Sequence, residues 1–403
     1  MRASSTPRAS GTPVTAWAPR VFTPYPDQPG LLLARVAARS AVFEGTSGAG
    51  GAPVLVGSAA GHDRDLVTTG ARGELLERMG NVLAGREAEA AAGIVATYDE
   101  LLRRGVPVRR PSIRPRARRL WIRARTTGGE ERYVPAAAVF LRHRPPTGCA
   151  PEPSAGSTGV AAHPHRVAAA RHAAWEVLER DLVRRSWYGL AAGRPRWIEA
   201  GAPAALAGAV RARGLATTAF LLPAPSGTAC AVVCLHRPDG TGQAFGARCG
   251  PSDALGTLIE KAAYEAVMVR WSMESPAARR TWDQWRGIGP PTTAVQHALW
   301  TYHRQDSLAL WNVRREPAVR DGCRARDGDP AGDGGRAREG DGHRARTDPL
   351  GVLAEHTGQE VLLAETSGKP ARDAGVRVVR VLAPGTLPLP SGPGPGHPHP
   401  FGQ

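Results

Sequence analysis

Apolar and polar positions along the chain alternate between a period near two and a period near 3.6, and the changes of period mark out its elements. A strand-like run, APVLVGS (52–58), leads into a helical pattern over 66–90, and a second helical pattern follows in GIVATYDELLRRG (93–105). Two β-like runs, RRLWIRAR (118–125) and RYVPAAAVFLR (132–142), flank TTGGEE, whose glycines suit a hairpin turn. A long helical pattern covers 165–188. The runs TTAFLLPA (217–224) and TACAVVCLHR (228–237) then read as adjacent antiparallel strands, followed by a helix over 253–273. Near the end, GQEVLLAETS (358–367) and GVRVVRVLAP (375–384) read as two more strands. Helices alternate with paired strands, which predicts an α+β fold with mainly antiparallel strands.

Two stretches lie outside this pattern. Residues 1–30 are rich in Pro, Ser, Thr and Arg and read as a loose arm, with order beginning near Leu31. Residues 316–348 mix Gly, Asp, Arg and Ala with almost nothing apolar and read as a disordered insertion. The remainder, 31–315 with 349–403, is expected to form one domain, and its 42% apolar content supports a core. No apolar run approaches the ~20 residues that span a bilayer, and the start lacks a signal-type apolar segment, so a cytoplasmic location without a membrane partner is expected. The five cysteines are scattered. Cys230 and Cys234 fall on one side of a β-like run and are assigned to the core rather than to zinc.

The net charge is +16, but all basic residues other than Lys261 and Lys369 are arginine, a bias that coding preference can produce. Ten arginines between Arg103 and Arg125 suit phosphate binding, yet no nucleic-acid motif accompanies them, and an acidic peptide could use the same face. Nucleic acid is therefore not the expected partner. ETSGKP lacks the first glycine of a P-loop and has proline after its lysine, so that motif is excluded, while GTSGAGGAP (45–53) is a lone glycine loop. Of the histidines, His163 and His165 stand before a helix, where capping or solvent contact is the plainer role.

The arrangement E-x-x-E-R occurs twice, as Glu74, Glu77 and Arg78 in GELLER and as Glu176, Glu179 and Arg180 in WEVLERD. On a helix the two glutamates of each copy share a face and the first also reaches the arginine. The like charges oppose the arrangement by roughly 0.2–0.5 kcal/mol, as much as the ion pair favours it. Two copies of one costly pattern point to a shared purpose, and clustered carboxylates call for a cation. Mg²⁺ takes one or two carboxylates plus substrate phosphates. The third helix adds Glu260 and Glu265, five apart and so on different faces; Glu265 is the candidate to join the site.

Four segments, in order, resemble the YcaO family from about Gly57 to Gln403. They are SAAGHDRDLVTTGARGELLERMGNVLAG (58–85), STGVAAHPHRVAAARHAAWEVLERD (157–181), VLLAETSGKPARDAGVRVVRVLAPGTLPL (361–389) and the ending HPHPF. The chain departs from the family's pattern at Gly70, where a serine is usual, and at Gly402 in the tail, where a third proline is usual. The resemblance implies an ATP site without a P-loop, in which Glu74, Glu77, Glu176, Glu179 and Glu265 bind Mg²⁺ ions under the nucleotide, with Arg78 and Arg180 beside them. It implies an ATP-dependent cyclodehydratase that activates a backbone amide so that Cys, Ser or Thr of a ribosomal precursor peptide becomes a thiazoline or oxazoline. The alternatives are a thioamide- or amidine-forming enzyme and a non-catalytic scaffold that recruits the precursor. It also places the tail near the site, so Arg180, Pro398, His399 and Pro400 are the candidate catalytic residues, His397 being the other tail histidine. A leader-peptide-binding partner of the ThiF-like kind would present the substrate, and a homodimer is compatible with this picture.

Overall fold

A computed structural model describes residues 17–401 apart from 46–52, 92, 112–113, 115, 154, 315–346 and 390–397. The chain opens with three antiparallel strands, β1 (Arg20–Phe22), β2 (Leu32–Arg39) and β3 (Val54–Gly61), in that spatial order. β1 lies inside the arm expected to be loose. Its Arg20, Val21 and Phe22 pair with Arg35, Ala34 and Leu33, and Tyr25 is buried, so an arm poor in periodic signal nevertheless supplies an edge strand. The helix α1 (Arg64–Ala90) follows. Asp63 opens it by accepting from Asp65 N (2.8 Å) and Leu66 N (3.0 Å), two donors a helix start leaves free. Val67, Ala71, Leu75, Met79 and Val82 form the stripe that α1 buries.

The helix expected over 93–105 is instead a strand, β4 (Ile94–Ala96), and a shorter helix, α2 (Tyr98–Arg103). Ile94, Val95 and Ala96 pair with Trp121, Leu120 and Arg119, and a capping box between Thr97 and Glu100 fixes the helix start after them. β5 (Arg119–Thr126) and β6 (Glu131–Pro135) make the expected hairpin. Past Pro135 the second run leaves the strand for α3 (Ala136–Val139), where three successive alanines favour helix.

Next come β7 (Val160–His163), α4 (Arg166–Trp187), β8 (Arg196–Ile198), α5 (Ala204–Ala212), β9 (Ala216–Leu222), β10 (Thr228–His236), β11 (Ala244–Pro251) and α6 (Leu255–Met273). Four helices follow that the sequence pattern did not mark: α7 (Pro276–Trp285), α8 (Ala294–His303), α9 (Ser307–Leu310) and α10 (Pro349–Thr357). The expected insertion falls outside the described residues except at Thr347 and Asp348. Asp348 belongs to α10, which it caps by accepting from Gly351 N at 3.2 Å. β12 (Leu362–Glu365), α11 (Lys369–Asp373) and β13 (Arg377–Leu382) complete the order.

The named strands form three sheets whose ladders are all antiparallel: β1-β2-β3, β11-β10-β9-β8, and β4-β5-β12-β13-β7 with β6 on β5. β10 is buried on both faces. Cys230, Val232 and Cys234 join α4 residues and Trp187, Phe245 and Trp311 in one cluster, while Val233 and Leu235 join Leu206 of α5 and Ala262, Ala263 and Ala266 of α6 in another. Both cysteines are fully buried free thiols, the core role expected of them. Among the described residues no helix is long and apolar enough to cross a membrane. Three edge strands position the site: β3 against α1, β11 against α6, and β7 against α4.

Candidate functional site

An edge strand leaves alternate backbone N–H groups without a ladder partner, and a buried one must be satisfied some other way. At all three edges a glutamate does so. Glu74 Oε2 accepts from Ser58 N of β3 (2.6 Å), and Glu176 Oε2 accepts from Gly159 N just before β7 (3.0 Å). On β11, Ala247 N donates to Glu265 Oε2 (3.0 Å) and Cys249 N to Glu179 Oε2 (3.1 Å). Hydrogen bonds to an ionised acceptor are about twice as strong as neutral ones, so each of these carboxylates is fixed by one oxygen.

Two glycines allow the helices to come this close. A Cβ on Gly57 would lie 2.1 Å from Ala71 O of α1, and one on Gly246 would lie 2.0 Å from Ala262 O of α6. In both pairs the glutamate stands three residues beyond the touched alanine and takes the N–H one residue beyond the glycine. The α1–β3 and α6–β11 contacts thus use the same device.

Arginines divide the negative charge. Arg78 pairs with Glu74 at 2.6 Å and donates to Val56 O at 2.8 Å. Arg180 lies among three carboxylates, with Nη1 3.2 Å from Glu179 Oε1, Nη2 3.7 Å from Glu265 Oε1 and Nε 3.9 Å from Glu176 Oε1. Arg248 Nη1 is 3.9 Å from Glu179 Oε2. Burial pulls the Arg180 guanidinium down, but Glu179, Glu265 and Glu176 together raise it above the ordinary arginine range. Arg380 of β13 donates to Gly156 O at 2.6 Å; burial pushes it down to about 10, against the pull of Glu176 and Glu77. Burial, then the nearby Glu176 carboxylate, hold Glu77 well above the usual carboxylate range, and burial also raises Glu176 and Glu179.

Both E-x-x-E-R motifs and Glu265 line one cavity of about 2990 Å³, whereas Glu260 does not reach it. Single-ligand pockets run to roughly 300–1,000 Å³, so there is room for a nucleotide and an extended peptide together. The donor set fits Mg²⁺ held partly by phosphate. Among the described residues no three His, Cys, Asp or Glu side chains converge into a complete metal site, but Mg²⁺ needs only one or two carboxylates when phosphates supply the rest. Glu77 sits beside two like charges, Glu176 and Glu74, an arrangement that favours an added cation.

Residues 398–401 of the tail are packed. Phe401 is 4% exposed, with Arg180 Cζ 5.6 Å from its ring centre. Trp187 Nε1 donates to Pro398 O (2.9 Å), and His399 N donates to His297 Nδ1 (2.9 Å). Burial pushes His399 well below the ordinary histidine range, and its Nδ1 lies within hydrogen-bond reach of both Phe401 N (3.2 Å) and Phe401 O (3.4 Å). Pro398, His399 and Pro400 do not line the cavity; through Phe401 they stand against Arg180. His397, Gly402 and most of the glycine loop at 45–53 lie outside the described residues.

Arg248 and Arg380 were not identified from the sequence. For Arg380 a signal existed, an arginine at a buried position of a valine-rich strand, VRVVRVL. His163 lines the cavity and accepts from His165 N at 2.9 Å, and His165 is the N-cap of α4 without a side-chain capping bond.

A family model described as YcaO cyclodehydratase, ATP- and Mg²⁺-binding, matches residues 58–387. Among solved structures, a YcaO from Methanopyrus kandleri bound with AMPPCP and Mg²⁺ is 18% identical with a TM-score of 0.57, over 92% of this chain and 86% of that one. A heterocyclase in complex with substrate and cofactor is 15% identical with a TM-score of 0.62; the match takes in 92% of this chain and half (50%) of the other. The E. coli microcin synthetase McbBCD complex is 12% identical with a TM-score of 0.56, over 92% and 88% of the two chains. At these identities the structures share the fold. No curated protein matches the chain.

Proposed function

The chain belongs to the YcaO family, and from that premise we propose that it is an ATP-dependent cyclodehydratase that closes Cys, Ser or Thr of a ribosomal precursor peptide into thiazoline or oxazoline rings. The observation that carries the reading is the convergence of five glutamates from three helices, four of them pinned to edge-strand N–H groups, on one cavity large enough for two ligands.

Bound ATP with Mg²⁺ would supply the phosphoryl group: once the Cys, Ser or Thr side chain has closed on the carbonyl carbon, the resulting oxygen would take the γ-phosphoryl group, releasing ADP, and would leave as phosphate. Such transfer needs positioning and charge neutralisation more than a covalent nucleophile, and the cavity is built of carboxylates and guanidinium groups. Glu74, Glu77, Glu176, Glu179 and Glu265 would hold Mg²⁺ ions. Each edge-bonded glutamate keeps its second oxygen clear of the strand, and Arg180 stays charged throughout. Arg78 and Arg180 would neutralise phosphate charge. Pro398, His399 and Pro400 would act from behind Arg180, holding Phe401 against it. A leader-binding partner protein would present the peptide; the microcin synthetase McbBCD among the structural relatives is itself a complex.

The reading is tested by supplying ATP, Mg²⁺ and a peptide rich in Cys, Ser and Thr and weighing the product. Loss of one water per ring is expected. Exchange of an amide oxygen for sulfur would instead show thioamide formation, and absence of any ATP binding would return the chain to a scaffold.

A further inference from the structure

The two acidic motifs differ at their last position. The first reads E-L-L-E-R-M and ends on Met79, which is 1% exposed in the apolar cluster of α1; the second reads E-V-L-E-R-D and ends on Asp181, which is fully buried. A buried carboxylate is costly unless every lone pair is occupied. Asp181 Oδ2 accepts from His356 Nε2 of α10 (2.6 Å) and from Arg185 Nε (2.8 Å), and Oδ1 accepts from Leu387 N (2.7 Å). The same face of α4 continues the grip. Arg185 donates to Gly385 O (2.7 Å), Arg184 to Pro388 O (2.6 Å) and Trp187 to Pro398 O (2.9 Å).

Apart from His356 of α10, the partners outside α4 (Gly385, Leu387, Pro388 and Pro398) all lie beyond β13. None belongs to the nucleotide cluster, and Asp181 does not line the cavity. We propose that Asp181, with His356, is a positioning latch: it fixes Leu387 and its neighbours on α4, the helix whose Trp187 holds Pro398 and whose Arg180 meets Phe401, and so steadies Arg180 and Phe401 against each other for the transfer step. The proposal rests on the function put forward above and divides the motif between two tasks. Glu176, Glu179 and Arg180 face the nucleotide, and Asp181 faces the tail. Met79 occupies the equivalent place in a helix that has no tail to hold.

The test uses the full chain with two substitutions. Asp181→Leu is close in size and removes both oxygens; Asp181→Asn keeps an acceptor for Leu387 N. In Asp181→Leu, hydrogen exchange at residues 385–389 and 398–401 should speed up about tenfold or more. Turnover of the peptide that the wild type modifies should fall about tenfold in kcat, with KM for ATP within about threefold, and Asp181→Asn should fall between the two. A merely structural role would not separate kcat from KM in this way. Unchanged exchange and kcat in both variants overturn the latch, and so does a loss of ATP affinity that parallels kcat. If Asp181→Leu does not fold, Asp181→Asn and His356→Gln decide on the same readouts. A wild type that neither binds ATP nor modifies peptide, yet shows Asp181-dependent protection of the tail, would defeat the functional reading and leave the latch standing.

Discussion

His399 shows what a single residue does to the behaviour of the molecule. It is 1% exposed, and burial holds its pKa well below the ordinary value, so folding at acid pH requires the unfolded chain to give up a proton. With the folded value depressed, the unfolded state binds more protons below about pH 6.5, and stability falls as pH drops through that range while remaining unaffected above it. His399→Gln should therefore lose less melting temperature than the wild type between about pH 6.5 and pH 5, read by thermal melts at stepped pH. Identical acid slopes would mean that the ring is not held neutral in the fold. Arg180 shows the reverse balance, since three carboxylates keep it charged despite burial. From the sequence, Arg180 was legible through its spacing from Glu176. The burial of His399 was not, because it depends on His297 and Trp187, about 102 and 212 residues earlier in the chain.

Among elements, the contacts between long helices and edge strands decide where the glutamates point. Gly246 is the test case, because a Cβ there would lie 2.0 Å from Ala262 O and 2.6 Å from Ala266 N, both backbone atoms that can move only with the helix. Gly246→Ala should cost about 1–3 kcal/mol by overpacking, measured by urea unfolding, and should weaken ATP binding by moving Glu265 off Ala247 N. Wild-type stability in that variant would show that α6 does not need its close approach. The two E-x-x-E-R helices were readable from period and spacing alone, since helical geometry places Glu74 with Glu77 and Glu176 with Glu179. The edge-strand bonds were not, because no local pattern says which N–H a distant carboxylate will take. Gly57 carried a usable sign all the same, a glycine inside the strand-like run 52–58, whereas the strand around Gly246 was not marked by the sequence pattern. The split of 93–105 into β4 and α2 likewise turned on Thr97 and Glu100, a capping box that the helical pattern overrode.

In the whole molecule, three antiparallel sheets present their edges to one cavity, and the three long helices α1, α4 and α6 bring the carboxylates there. The class of fold was legible because alternating and helical periods succeed one another clearly. The helices α5 and α7 to α11 and the strands β1, β2, β7, β8 and β11 were not, their signals being short or broken by proline, glycine and polar residues. The reading as an ATP- and Mg²⁺-dependent enzyme rests on this convergence, so the decisive measurement is calorimetric titration of ATP into the wild type, Glu176→Gln and Glu179→Gln, with and without Mg²⁺. Binding should require Mg²⁺ in the wild type and be lost in both variants, which should keep the wild-type fold by circular dichroism. Binding without Mg²⁺, or undiminished affinity in both variants, would contradict the assignment of the carboxylate cluster to the nucleotide.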